Sequence, residues 1–326
     1  MDMKKTIEKN SIKKKGPNYK LAKEQLLSLN KEFYNNYLNG YFLLKITDLV
    51  DKLSNPNEYI DYIKNKKLEI GKLKFENSFD NENDIVDFAK IELMDSYYHG
   101  LESFIRIFIA HAKLKECPWI EMSGLSMNNY KSAIERLAND DFEWLNDKFN
   151  GDITVLFVLT GYDKIPESIT QEDLKGLRSW VSWIAKELLN HKEHNSYKHG
   201  LTVFTKPENI SLSDNTITLF SFNGDAIQTL QTEEKKERFV WVKSSKYIKY
   251  DEYGTILHVI ANFIDNIISI GKFHYIDAEY KIGWLPNKDF NPIMILSGGG
   301  DLSDQIGIQG LKCIMHDFKQ ELLYYK

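Results

Sequence analysis

Cysteine is scarce in this chain of 326 residues, which contains only Cys117 and Cys313. Two cysteines are too few for a disulfide framework or for a four-cysteine zinc site. This scarcity is typical of proteins from a reducing compartment, so the sequence predicts a cytoplasmic location. We expect Cys117, which precedes Pro118 and Trp119, to be a buried structural thiol.

The chain also lacks a long uninterrupted hydrophobic run and a strong excess of charge. No window reaches the roughly 18 consecutive apolar residues of a membrane span, and no apolar stretch follows the lysine-rich start. We therefore expect neither a membrane-spanning helix nor a secretion signal. The 42 basic and 47 acidic residues leave a formal net charge of -5, which predicts no general affinity for nucleic acids or membranes.

Apolar residues are plentiful, and their spacing changes along the chain. Hydrophobic residues make up 42% and charged residues 27%, a balance typical of a folded protein with a substantial core. Helical spacing dominates the first 200 positions, whereas alternating and β-branched runs dominate residues 205–250. The sequence therefore predicts a mainly α-helical α+β fold, a helical bundle with a small inserted antiparallel β-sheet.

Changes in residue pattern divide the chain into four segments. Residues 1–16 carry six lysines without apolar periodicity, which predicts a disordered basic tail. Residues 17–204 are predicted to form the helical bundle, and residues 205–250 the small antiparallel sheet. Residues 251–326 are predicted to form C-terminal helices with a short strand-like piece, the last of them amphipathic.

Local signals add detail to this organisation. The patterns over 85–116 and 172–194 predict two long central helices, and we expect Cys117-Pro118 to end the first of them. The sequence from Thr170 to Asp173 resembles a capping box that would open the second helix. Asn223-Gly224 lies between two alternating runs, which predicts a two-residue hairpin turn at that pair.

The helix predicted over 85–116 carries a polar stripe when its residues are placed about 100° apart. Ile109 and Ala110 lie beside this stripe, so we expect its second half to be enclosed. Enclosed charges need partners, which predicts an ion pair between Glu102 and Arg106 and a hydrogen bond from His99 to Glu102. On this interpretation the protein is a non-catalytic helical module that binds a protein or a nucleotide. We call the stripe the polar seam; it comprises Glu92, Asp95, His99, Glu102, Arg106 and Lys113.

A second interpretation comes from the string Arg106-Ile-Phe-Ile-Ala-His111. The chain has four arginines and eight histidines, so about 0.1 such spacings are expected by chance. In a long helix this Arg-x-x-x-x-His pattern resembles the signature of the HEPN superfamily. Its members include metal-independent ribonucleases of toxin–antitoxin and phage-defence systems, and also non-catalytic relatives. Ile107 stands where that family usually has a polar residue.

The resemblance implies a metal-independent endoribonuclease of bacterial defence or stress response that acts on RNA as a homodimer, without a cofactor. Arg106 would hold the scissile phosphate, and His111 would act as general acid or base on the ribose 2′-OH. We also expect a regulatory protein partner and no interaction with a membrane. Supporting or alternative site residues are His99, Glu102, Lys198 and His199.

Two histidines near the end of the predicted second long helix suggest a third interpretation. His191 and His194 are three residues apart and would form a metal site if His99 or Glu102 completed it. The Glu-x-x-His pairs of di-iron bundles are absent from this region of the sequence. We therefore favour a solvated helix end for these histidines and expect no metal.

Overall fold

The computed structural model describes residues 21–66, 68–75, 81–190, 203–213, 218–235, 238–286, 290–292, 295 and 317–321. These residues form a mainly α-helical protein with a small antiparallel sheet, which confirms the predicted fold class. The helices are α1 (Lys23–Asn36), α2 (Tyr41–Ser54), α3 (Pro56–Asn65), α4 (Glu82–Ala112), α5 (Pro118–Gly124), α6 (Met127–Ala138), α7 (Gly151–Thr160), α8 (Gln171–Asn190) and α9 (Tyr250–Ile276). The strands are β1 (Leu68–Ile70), β2 (Leu73–Phe75), β3 (Val203–Ser213), β4 (Thr218–Lys235), β5 (Arg238–Tyr247) and β6 (Asp317–Glu321).

Helices α4 and α9 form the centre of the core and pack along each other. α4 also contacts α2, α3, α5, α6, α7 and α8, so other helices enclose most of its length. Leu101, Phe104, Ile105 and Phe108 of α4 are fully buried in the resulting cluster. The described part of the helix predicted over 172–194 is α8, which is buried against α4, and α9 is a further central helix.

Helix α9 is long and apolar enough to cross a membrane by length and composition, and it is the one such helix among the described residues. However, 67% of its apolar window is buried inside the protein. Ile256, Ile260, Phe263 and Ile267 all face the core. Because a mostly buried core helix can have this length and composition, α9 is only weak evidence for a membrane span.

The long helices differ from their predicted bounds at their ends. α4 stops at Ala112, before the predicted end at Cys117-Pro118, because Leu114 takes a left-handed conformation with φ 53°. Pro118 instead begins α5, where its missing N–H costs no hydrogen bond. The predicted capping box is confirmed, since Asp173 N donates to Thr170 Oγ1 at 3.2 Å and Thr170 N donates to Asp173 Oδ2 at 2.9 Å.

The sheet contains β3, β4, β5 and β6 in that order, with every pair antiparallel. Asn223 and Gly224 lie inside β4, opposite Asn209 and Glu208 of β3, so the predicted hairpin turn at this pair is wrong. Pairing between β3 and β4 continues on both sides of these residues. The hydrogen-bond ladder formed with β3 outweighs the local turn preference of Asn-Gly.

The fourth strand, β6, lies where we predicted part of a C-terminal amphipathic helix, so that prediction is also wrong. Asp317 pairs with Lys246 and Glu321 pairs with Val242 of β5. An edge position on an existing sheet supplies backbone partners that local periodicity does not reveal. The C-terminal segment therefore contributes to the sheet as well as to the helical core.

Two polar contacts hold the sheet against the helical core. Lys246 Nζ of β5, which is buried, donates to the hydroxyl of Tyr98 on α4 at 3.1 Å. Lys90 of the same helix forms an ion pair with Asp225 of β4. The inserted sheet is therefore attached directly to the central helix.

The first helices show the break that the sequence predicts. Gly40 has a left-handed φ of 72°, and its backbone N–H donates to Asp265 Oδ1 of α9 at 3.1 Å. The predicted Asn39-Gly40 break therefore lies in the short connection between the end of α1 at Asn36 and the start of α2 at Tyr41. The predicted basic tail, residues 1–16, lies outside the described residues.

Helices α1 and α9 approach each other closely at Gly271, which yields a prediction for stability. A Cβ at this position would lie 2.5 Å from the hydroxyl oxygen of Tyr34, whose ring is fully buried. Because the ring has no free space to enter, Gly271→Ala should lower the free energy of unfolding by about 1 to 3 kcal/mol. Chemical denaturation measures this change.

The matched control is Gly254→Ala in the same helix, where a Cβ would meet nothing within 4 Å. Alanine is the better helix former, so this change should leave stability unchanged or raise it by up to about 1 kcal/mol. Equal effects of the two substitutions would show that α1 does not pack on α9 as described.

Candidate functional site

The polar seam lies half-buried along α4, as the sequence predicts. Arg106 Nε donates to Glu102 Oε1 at 3.1 Å, which confirms the predicted ion pair. At the end of the seam, Lys113 Nζ donates to Glu121 Oε2 of α5 at 2.9 Å. These charges therefore have partners within the protein.

Arg106 connects the seam to α6. Its guanidinium lies 4.2 Å from the ring centroid of Tyr130, and its Nη2 lies 3.9 Å from Met127 Sδ. Burial, followed by the negative charge of Glu102, raises the pKa of Tyr130, so this ring stays neutral beneath the cation. The Arg106 side chain therefore stacks on Tyr130 and also forms an ion pair with Glu102, and 27% of it remains exposed.

His111 is directed toward a different set of neighbours. It is 5% exposed, and its Nδ1 lies 2.7 Å from the carbonyl oxygen of Ile107 while its Nε2 lies 2.8 Å from the hydroxyl of Tyr34. A carbonyl only accepts, so Nδ1–H donates to it and Nε2 accepts from Tyr34. Burial lowers the pKa of His111 to about 4, which keeps the ring neutral near pH 7.

The structure does not bring Arg106 and His111 to one surface of this chain. Both lie on the unbroken helix α4, where positions five apart differ in direction by about 140°. Arg106 contacts α6, whereas His111 contacts Tyr34 of α1 and the ring of Tyr275 on α9. Both ring nitrogens of His111 are engaged by the protein, so the described geometry does not present them to a phosphodiester.

The remaining predicted site residues fall into two groups. His99 lies against the rings of Tyr41 and Phe42 on α2, with centroid distances of 6.1 and 5.3 Å. Four residues lie outside the described part of the chain, namely His191, His194, Lys198 and His199. Within the part that is described, no group of three or more His, Cys, Asp and Glu side chains is placed to hold a metal ion.

A cleft opens where the seam ends. It is formed by the C-terminal end of α4 together with α5, α6 and the segment that follows α6, and its volume is about 430 Å³. That volume suits a small organic ligand, and the lining mixes apolar with polar side chains. We call it the α5–α6 cleft; its lining includes Lys113, Glu121, Leu125, Asn129, Arg136 and Trp144.

Arg136 and Trp144 are fixed against each other at this cleft. The Arg136 guanidinium lies 5.0 Å from the centroid of the Trp144 ring, and its Nε donates to Asp141 Oδ2 at 2.6 Å. Trp144 Nε1 donates to the backbone oxygen of Asp141 at 3.0 Å. Asp141 therefore holds both the cation and the ring in position while both remain partly exposed.

Sequence patterns did not reveal this pair of residues. Neither Arg136 nor Trp144 was predicted to belong to a site, because neither lies in the polar stripe of the long helix. The available signal was the scarcity of arginine, since Arg136 is one of four in the chain and is followed closely by Asp141 and Trp144. The cleft itself had no sequence signal, because its walls come from separate helices.

The environment of His111 predicts how stability depends on pH. The pKa of His111 is 6.5 when unperturbed and about 4 in the folded protein, so between these values the unfolded chain binds more protons. His111 therefore contributes its full stability above pH 6.5, and this is lost as the pH falls toward 4. The loss over that range should reach about 3 kcal/mol.

The experiment compares the pH dependence of unfolding in the native protein with that in His111→Gln, which has no titrating ring. The pKa of His274 is lowered by burial and by the charge of Lys148, which are the same in both proteins, so its own titration largely cancels in the difference. The effect of the His274 charge on His111 remains in the difference and acts in the same direction as burial. The variant should lose less stability than the native protein between pH 7 and 4. Parallel curves would mean that His111 is not buried in its neutral form.

Scans against protein-family models, curated proteins and solved structures found no match to this chain. The ribonuclease resemblance therefore stays a prediction that depends on the spacing of Arg106 and His111 alone.

Proposed function

We propose that this protein is a non-catalytic binding module whose binding site is the α5–α6 cleft. The observation that carries the proposal is an open cleft of about 430 Å³ with a mixed polar and apolar lining at the end of the polar seam. Ligand sites in proteins are typically concave, preformed and lined in this way. The cytoplasm is the proposed location, in keeping with the two cysteines of the chain.

The contacts of Arg106 and His111 favour binding over catalysis. A metal-independent ribonuclease needs a phosphate-binding cation and a general acid or base around one scissile phosphate. In the described geometry Arg106 pairs with Glu102 and stacks on Tyr130, and His111 bonds to Tyr34 from the interior. Both side chains thus support the packing of α4 against its neighbours.

Trp144 provides a direct test of the proposed site. In isotope-labelled protein the indole N–H groups of the six tryptophans give separate NMR signals, and Trp144→Phe identifies the one at the cleft. In a screen of small organic compounds, binders should shift the Trp144 signal. The signal of Trp180, which is buried and donates to the Phe290 carbonyl at 3.0 Å, should not move.

Ser132→Trp serves as the control because residue 132 lines the cleft and the larger side chain would fill it. Compounds that shift Trp144 in the native protein should lose that effect in the variant. If no compound shifts Trp144, or if the shifts persist in the filled cleft, the binding-module proposal fails.

A cleavage assay separates this proposal from the ribonuclease prediction. Single-stranded RNA incubated with the protein in excess EDTA should remain intact. Arg106→Ala should lower the melting temperature, because it removes the half-buried ion pair with Glu102 and the stacking on Tyr130. The contrary result would be that the native protein cleaves RNA to products with 2′,3′-cyclic phosphate ends, whereas the folded variants His111→Ala and Arg106→Lys do not. That result would establish the ribonuclease.

A further inference from the structure

We propose that the α5–α6 cleft selects organic anions, in which a carboxylate or phosphate is attached to a planar aromatic body. This inference rests on the proposed function, since it assigns a ligand class to the same cleft. Two cations, Lys113 and Arg136, line the cleft, and each is paired with one carboxylate, Lys113 with Glu121 and Arg136 with Asp141. Attraction for an anion therefore comes from the hydrogen-bond donors that these two pairs leave available and not from an excess of positive charge.

Arg136 supplies the main anion-binding group. Its Nε donates to Asp141, whereas its two Nη groups make no hydrogen bond with any other residue that the structure describes. The guanidinium offers planar paired donors that match a carboxylate or phosphate, and these Nη donors remain available for such a ligand. With 45% of the side chain exposed, this edge is open to an incoming anion.

Lys113 supplies a second positive charge from the wall formed by α4. Its ammonium has three donors, and Glu121 Oε2 accepts from it at 2.9 Å. Both side chains are about one quarter exposed, and the pair with Glu121 uses one of the three ammonium donors. An anion in the cleft can therefore accept from the remaining donors while the pair with Glu121 stays in place.

Trp144 and the apolar lining explain why the body of the ligand is aromatic. The indole is held by Asp141 and by the stacked Arg136, so its ring is already fixed before a ligand arrives. Ile120 and Leu125 add apolar surface to the same lining. Binding to a preorganised site loses little side-chain entropy, which favours affinity for a flat, partly apolar molecule.

Calorimetric titration tests the inference with two matched pairs of compounds. The phosphate pair is adenosine 5′-monophosphate with adenosine, and the carboxylate pair is indole-3-acetate with indole-3-acetamide. In at least one pair the charged member should bind about tenfold more tightly or better, and its affinity should fall as salt is added. The pair that discriminates identifies the anionic group.

Variants assign this preference to the two cations. Arg136→Gln and Lys113→Gln should each reduce the affinity for the charged member by a larger factor than the affinity for its neutral analogue. Lys131→Gln is the control, because Lys131 lies on α6 outside the cleft and its side chain is 75% exposed. Circular dichroism and melting temperatures should show that all three variants remain folded.

The outcomes distinguish failure of the anion preference from failure of the proposed binding module. Equal affinities for charged and neutral members would overturn the anion preference but leave a binding module in place. Any acid that shifts the Trp144 signal in the compound screen is also titrated alongside its neutral amide. Equal affinities for the acid and the amide would likewise overturn the anion preference. A Trp144 signal that no compound shifts would overturn both.

Discussion

The burial of α4 is the constraint on which the rest of the structure depends. This helix of 31 residues runs through the protein, with α9 along one side and α2, α5, α6, α7 and α8 around it. Its aromatic and aliphatic side chains supply a large part of the core cluster, and the sheet also attaches to it through Tyr98 and Lys90. Polar side chains on a helix so enclosed have little access to water, so they must find partners inside the protein.

Those partners determine how neighbouring helices sit on α4. Arg106 meets Glu102 on its own helix and Tyr130 on α6, while His111 meets Tyr34 on α1. Each contact satisfies a polar group and also fixes the position of a helix. The two residues of the Arg-x-x-x-x-His pattern are therefore used by the packing, and a cation and an imidazole of the right types and spacing do not by themselves make a catalytic site.

Polar side chains become accessible to ligands at the C-terminal end of α4, where other helices no longer enclose it. α4 stops at Ala112, and beyond it Lys113, α5 and α6 leave a cleft instead of a packed core. Arg136 and Trp144 are ordered there by Asp141 but keep exposed surface. The protein thus combines a closely packed, mainly apolar core with a partly exposed cleft at one end of its central helix, and this cleft is the binding site that we propose.

The sequence by itself determined the features that depend on local spacing. Apolar periodicity and caps located the long helices, the break at Asn39-Gly40 and the capping box at Thr170, and the i,i+4 rule identified the pair of Glu102 with Arg106. Only the tertiary structure decided the rest. Asn223-Gly224 became strand and β6 joined the sheet because pairing with distant strands outweighed local preference. The contacts of Arg106 and His111, and the walls of the cleft, depend on which helices pack beside α4, and residue spacing within one helix carries no information about its neighbours.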